Sequence, residues 1–552
     1  MLRRLPVVVT ALFVLLAPGT AVARGNAPVC SVGCSAAPAG SGPLFVLTGH
    51  GWGHGVGLSQ YGAYGFAQHG WTYDQIVAHY YPGTALASAP VIRVRVLLAD
   101  RRTAITIGSE LPFRVRDGLG ETHDVAAGSY KLGRALKLKL ADGTQQALQP
   151  PLTFSPAGAP LQLRRAYRGS IEVDLVDGRL RAVNVVGLEQ YLYGVVPAEM
   201  PSNWAPEALK AQAVVARSYA LATRRVAALY DLYADTRSQV YLGVAAERAS
   251  TTAAVDQTAG QVVVYNGQVA TTYFFSTSGG RTANSTDVWS GPPTPYLVSV
   301  PDPYDAISPY HDWGPFPFTG AKLAKTFRTP GRVTDVRADV NASGRVSALE
   351  LLATNGTTTD VSAAKVRAAL KLRSTWFDIG VLALSRTAPV KPVEYGSQVQ
   401  LSGLLRGLAG VSLEQRPSGA SWQAVAPVTA SPDGAVALTA KPTITTYYRL
   451  ATDKLAAAPV RVSVTPRVRF SAVKTPGELR GSVRPVLAGA PVEIQRQDEV
   501  TGAWTTIAST VVDANGVFAA AVELTPGVYR ARVAGARGYA AGTTPPLRVV
   551  AR

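Results

Sequence analysis

The chain has 552 residues and a mass of 57.9 kDa, with 47% hydrophobic and 16% charged residues; this composition excludes disorder throughout, and the length suits three or four domains. Its 52 glycines and 38 prolines favour short strands and loops over a large helical bundle. The net charge of +18 draws the protein toward an anionic polymer such as nucleic acid, membrane headgroups or an acidic cell wall.

The N-terminus chooses among these. Arg3 and Arg4 precede the apolar run Leu5 to Ala17, and Ala21-Val22-Ala23 supplies the small residues that a signal peptidase reads, so residues 1–23 are expected to be removed on export. No later stretch approaches 18 consecutive apolar residues, which predicts a secreted protein with no transmembrane anchor and makes nucleic acid a poor partner. Cys30 and Cys34 lie just beyond the cleavage point, where they could close a short disulfide loop or remain thiols. Residues 24–43, rich in Pro, Gly and Ser, read as a flexible linker.

A glycine-rich segment follows, with glycines at 49, 51, 53, 55 and 57 interleaved with His50, Trp52 and His54. The spacing does not match a dinucleotide fingerprint. Dense glycine lets a backbone approach a ligand or another strand, so the segment reads as a polar loop lining a carbohydrate groove, with a packed glycine-rich hairpin as the alternative. Two histidines four apart also suggest a metal, but no cysteine and only Asp74 lie nearby, and no metal or other cofactor is expected.

From Val91 to Val186, the runs VIRVRVLL, AITI, FRVRD, IEVDL and RAVNVV predict a β-rich region. The clearest helix is predicted over 206–229. Pro206 suits its first position, Glu207 its positive end, and Leu209, Ala213, Ala216 and Ala220 one stripe. Just ahead of it Glu199 stands between Pro197 and Pro201, with Met200 and Trp204 able to desolvate it. Desolvation raises a carboxyl pKa, as a general acid at neutral pH requires, although from position alone such a glutamate is more often a cap or a surface charge. Strands are predicted at QVVVY, QVATTYFF and VSALELLA, and a short helix at SAAKVRAALKL. Ser362 to Lys365 matches Ser-x-x-Lys, but its Ser-Asp-Asn and Lys-Thr-Gly companions are missing.

The last 165 residues or so repeat at a period near 80: Gln415-Arg416, Trp422, Gly434 and Tyr448 recur as Gln495-Arg496, Trp504, Gly516 and Tyr529. Two immunoglobulin-like β-sandwiches are predicted, with Trp422 and Trp504 as core residues.

Three stretches resemble the SpoIID/LytB family, which contains stage II sporulation protein D and the amidase enhancers of bacterial cell walls. They are GHGVGLSQYGAYGFAQHGWTYDQIVAHYYPGT, LEQYLYGVVPAEMPSNWAPEALKAQAVVARSYAL, and DTRSQVYLG with AVDQTAGQVVVYNGQVATTYFFSTSGGRT. The resemblance implies lytic transglycosylase chemistry on peptidoglycan glycan strands, with Glu199 as the catalytic residue. It implies substrate contacts from His54, Gln60 and Tyr61 in the first stretch, Gln212, Arg217, Ser218 and Tyr219 in the second, and Ser276, Ser278 and Gly279 in the third. In sporulation members the glycine-histidine stretch follows the Ser-Gly-Gly stretch, whereas here it comes first; a permuted or strand-exchanged domain would restore the same groove. Ser238 stands where zinc-binding members have a cysteine, so no metal is carried over.

The expected architecture is therefore α+β. A β-rich SpoIID-like domain occupies residues 44–385, made of the Gly/His segment 44–86, a β-rich part 87–180 and a mixed part 181–385. Two β-sandwich repeats follow at 386–466 and 467–552. The expected partners are peptidoglycan glycan strands, anionic wall polymers and, if the domain binds glycan without cutting it, a cell-wall amidase.

Overall fold

The computed structural model describes residues 42–89, 93–226, 228–386, 390–471 and 477–550. The expected signal peptide, Cys30 and Cys34 lie outside the described residues, as does all of the linker but its last two positions. The fold is β-rich, 42% strand and 16% helix.

The alternating runs after residue 91 form two sheets. One has seven strands in the order Leu232–Tyr233, Arg93–Arg102, Arg179–Gly187, Ser170–Val176, Leu152–Pro156, Phe113–Arg116 and Thr122–Val125. The other has four, Arg165–Tyr167, Leu161–Leu163, Ala104–Ser109 and Gly128–Gly133. Val115, Phe154 and Ile171 from the first meet Ile107, Leu132 and Leu161 from the second in one core, because alternation puts every other residue on the shared face.

Six helices frame the region of interest. They are α1 (Gln60–Gln68), α2 (Tyr73–Tyr80), α3 (Leu188–Tyr193), α4 (Val196–Glu199), α5 (Pro206–Thr223) and α6 (Ala249–Gln257). Pro206 opens α5 as predicted. The helix is not amphipathic: 12 of its 18 residues are buried, with Ala213, Ala216 and Ala220 in the β-rich core and Leu209, Val214 and Val215 in a second core shared with α1 and α2. It ends at Thr223, six residues before the predicted stop, with Arg224 already extended. Asp231 explains the early end. Its backbone carbonyl accepts from the Arg225 N–H (3.0 Å) and its carboxylate from the Arg95 N–H (2.8 Å), turning the chain so that Leu232–Tyr233 joins the large sheet as a parallel edge.

The predicted strands QVVVY and VSALELLA form as Gln261–Tyr265 and Val346–Ala353. QVATTYFF yields only Gln268–Val269 and Phe274–Phe275. The predicted short helix forms over Ala363–Leu370, with Ser362 at its start and Lys365 exposed.

One five-stranded sheet runs across the boundary expected at 385. Its order is Asp312–Thr319, Leu44–His50, Phe377–Arg386, Val399–Arg406 and Ala435–Ala440. The first C-terminal unit is thus built on the sheet that begins the chain, and Leu44, Val46 and Leu382 lie in its core with Leu401, Leu413 and Tyr448. The second unit packs Arg467–Phe470, Glu478–Arg484 and Val517–Ala521 against a sheet containing Pro491–Gln497 and Gly527–Val533.

Candidate active site

The glycine-rich stretch docks on the Ser-Gly-Gly stretch although more than 200 residues separate them. Trp52 exchanges backbone hydrogen bonds with Thr277 (2.8 and 3.1 Å), and Leu58–Ser59 pairs in parallel with Phe274–Phe275. Two glycines permit this approach. Gly57 has φ +78°, and a Cβ there would lie 2.0 Å from the Tyr273 carbonyl oxygen; Gly279, also at φ +78°, would put one 2.6 Å from His50 Cβ. No side chain fits either position.

The close approach places α1 against the Glu199 turn. Ser59 caps α1, its hydroxyl accepting from the Gly62 N–H (3.2 Å) and donating to Asp305 Oδ1 (2.9 Å). Gln60, buried in the first turn, donates through Nε2 to the Glu199 carbonyl (3.0 Å) and the Gln212 Oε1 (3.4 Å). Glu199 closes the one-turn helix α4, which contains Pro197, and buried Met200 follows it. Its Oε1 accepts a long bond from the Val240 N–H (3.4 Å). The residue keeps part of its surface open, yet desolvation pushes the carboxyl up to about 7, against a weaker lowering by that one N–H.

Tyr191 and Tyr219 flank the carboxyl, and in both the hydroxyl is pushed up first by burial and further by the charge of Glu199. Tyr191 donates to Gln239 Oε1 (3.3 Å). The Nε2 groups of Gln212 and Gln239 are buried and have no acceptor among the described residues, which leaves two donors in the network that holds Glu199. Trp204 stacks on Tyr64 (4.6 Å, 10°) and meets Tyr61 edge-on (4.7 Å, 63°). Beyond Tyr61 the aromatic wall continues through Tyr310 to Trp52 (4.4 Å between these two rings). On the other flank of the turn, Pro197, Pro201, Asn203 and Arg165 line an open cavity of about 640 Å³.

The structure thus gathers Gln60, Gln212 and Tyr219 about Glu199, and the Tyr61 N–H, next to Gln60, donates to the Ser276 carbonyl (3.0 Å). Ser278 and Gly279 act one layer below. Their N–H groups donate to the two oxygens of Asp305 (2.9 Å each), whose fully buried carboxylate also accepts from Ser59 and from His311 Nδ1 (3.0 Å).

Three expected substrate contacts are engaged inside the fold instead. Arg217 is fully buried, forks onto Glu189 and donates to the Gln261 carbonyl (3.0 Å). The Ser218 hydroxyl donates to the Val214 carbonyl (2.7 Å) and accepts from the Val263 N–H (2.8 Å). His54 accepts from the Val56 N–H at Nδ1 (3.0 Å), so its proton sits on Nε2 and is donated to the Phe274 carbonyl (3.1 Å). Burial holds this imidazole down to about 3, and Phe275 and Trp289 pack around it. It pins the glycine loop in a neutral form, with both ring nitrogens occupied.

Asp305, Tyr64, Tyr191 and Gln239 were not singled out in the sequence. Asp305 carried no local signal, since PDPYDA reads as an ordinary turn; the aromatic and glutamine positions lie within or beside the matched stretches.

Residues 176–265, which hold Glu199 and α3 to α6, match the family described as Stage II sporulation protein. The chain is 34% identical over 188 residues to stage II sporulation protein D of Bacillus subtilis, covering 31% of this chain and 54% of that one. It is 43% identical over 114 residues to the amidase enhancer of the same organism (21% and 15%), and 39% identical over 221 residues to an uncharacterized protein of Brachyspira hyodysenteriae (39% and 59%). Each match spans less than two thirds of the relative. These matches support the resemblance to the SpoIID/LytB family over this part of the chain.

Proposed function

We propose that this is a secreted cell-wall protein that cleaves the glycan strands of peptidoglycan as a lytic transglycosylase, with Glu199 as its single acid and base. The observation that carries this reading is the desolvated, partly open Glu199 carboxyl, pushed up to about 7, in a turn followed by Trp204, whose ring packs on Tyr61 and Tyr64. As an acid it gives its proton to the glycosidic oxygen as the bond from C1 breaks. The resulting carboxylate then takes the proton of the sugar's own 6-hydroxyl as O6 bonds to C1, which closes a 1,6-anhydro ring and restores the acid. One carboxyl suffices because no water is activated. Trp204, Tyr61 and Tyr64 offer ring faces on which a pyranose stacks. The C-terminal units are read as immunoglobulin-like sandwiches that keep the enzyme near the wall. Among the described residues, no helix is long and apolar enough to cross a membrane.

The test is mass spectrometry of products from residues 24–552, beside Glu199→Gln, on intact and amidase-stripped peptidoglycan. Anhydro-terminated fragments are expected from the wild type alone, their rate falling as pH rises through about 7 and the acid form is lost. Similarity to the amidase enhancer favours a second reading, a glycan-binding modifier that stimulates an amidase. Wall binding with no fragments, and amidase stimulation that survives Glu199→Gln, would replace the first reading with the second.

A further inference from the structure

Trp422 and Trp504 are not core residues. Both are only partly buried, and the core position of each unit is filled by Tyr448 or Tyr529, 2% and 0% exposed. Strand register shows why. In the first unit Glu414 pairs with Arg449 and Ala424, with a bulge after Leu413; in the second, Gln495 pairs with Arg530 and Thr506, with a bulge after Ile494. Glu414 is therefore the counterpart of Gln495, and the Gln-Arg identity of the two repeats is a one-residue slip that compares opposite faces. Trp422 and Trp504, each two residues before the matched partner, are true counterparts, as are Arg449 and Arg530.

The same construction stands on the outer face of both units. The Arg449 guanidinium lies 4.0 Å from the Trp422 ring, and that of Arg530 lies 4.1 Å from the Trp504 ring. Each of these arginines is held by its cross-strand neighbour, Arg449 Nε donating to Glu414 (2.7 Å) and Arg530 Nε to Gln495 (2.8 Å). In the first unit Arg416 also sits over Trp422 (5.0 Å) and Tyr447 (4.9 Å). It makes no carboxylate contact among the described residues. Ring contacts orient this guanidinium while leaving its N–H donors open.

From these observations we infer that the two units carry a repeated binding platform for an acidic polysaccharide, with a sugar ring on each tryptophan and the polymer's acid groups on the adjacent arginines. Charge complementarity supports this occupant, since residues 390–552 hold 18 Lys and Arg against 10 Asp and Glu. The repeat suits a polymer of repeating units. The units are also held together, by hydrogen bonds from Thr445 N–H to the Gly538 carbonyl (3.1 Å), Ala540 N–H to the Val464 carbonyl (2.8 Å) and the Tyr539 hydroxyl to the Thr443 carbonyl (2.9 Å). Fixed spacing makes the second attachment intramolecular and multiplies affinity. The inference does not depend on chemistry at Glu199.

The test is biolayer interferometry of the full chain on immobilised polygalacturonate, with neutral dextran and ring-free polyphosphate as comparators. Polygalacturonate is expected to bind at least about tenfold more tightly than dextran. Trp422→Ala and Trp504→Ala should each weaken it about tenfold by removing one of two attachments, and the double variant should approach the dextran level. Arg416→Gln, which breaks no side-chain hydrogen bond among the described residues, should weaken binding several-fold with an unchanged melting temperature, and it decides the matter if a tryptophan variant fails to fold. Glu199→Gln should bind as the wild type does. A folded double variant that binds like wild type, or polyphosphate bound as tightly as polygalacturonate, would overturn the inference in favour of plain charge attraction.

Discussion

Glu199 is an acid held above its ordinary value of 4.5, at about 7, so the folded protein keeps its proton more tightly than the unfolded chain does. Between those two values a rise in pH therefore lowers stability, because the unfolded chain ionises freely while the folded one resists. The whole cost, about 1 to 3 kcal/mol, is present above pH about 7. Glu199→Gln removes the titration, so it is expected to melt above the wild type at pH 8 and together with it near pH 4. Asp302, buried and also pushed up to about 7, titrates in both proteins and drops out of the comparison. Calorimetry at the two pH values checks this; a difference that does not change with pH would show that burial is not what holds the Glu199 proton.

Helix α5 ties the site to the rest of the fold because it has no solvent stripe to lose. Ala213, Ala216 and Ala220 face the β-rich core and Leu209, Val214 and Val215 face the core of α1 and α2, so Gln212 on the same helix is placed by two packed surfaces at once. Alanine here reflects close approach more than helix propensity, in which leucine is nearly its equal. Ala216→Leu should thus destabilise by about 1 to 3 kcal/mol through overpacking, read as a lower urea midpoint with an unchanged slope. An unaltered midpoint would mean that the helix has room on that side. The fork of Arg217 onto Glu189 belongs to the same helix and ties α5 to α3 from inside the fold, with the guanidinium fully buried.

For the whole molecule, the sheet that begins at Leu44 and continues to Ala435–Ala440 makes the first C-terminal unit part of the domain it follows. Ending the chain after residue 385 strips Phe377–Arg386 of its partner Val399–Arg406 and uncovers Leu44, Val46 and Leu382. An unpaired edge above an exposed apolar face invites aggregation. Residues 24–385 are expected to aggregate or to melt about 10 °C or more below the full chain, whereas residues 24–466 should keep the melting transition of the SpoIID-like region. Differential scanning fluorimetry with light scattering compares the two, and equal behaviour would restore a domain boundary at 385.

Local chemistry made much of this legible. Alternation announced the strands after residue 91, Pro206 the start of α5, the glycines of the first stretch a close backbone approach, and the motif around Glu199 the family and its candidate acid. Those signals lie within a few residues of one another, where φ, capping and periodicity act. The remaining features depend on partners far away in the chain. Only tertiary packing engages Arg217, Ser218 and His54 inside the fold, draws Asp305 beneath the Ser-Gly-Gly loop and ends α5 at Thr223 through the bonds of Asp231. It also extends one sheet across residue 385 and turns Trp422 and Trp504 outward. Periodicity tells which residues share a face; whether that face meets a core, a carboxylate or solvent is decided by what the rest of the chain brings against it.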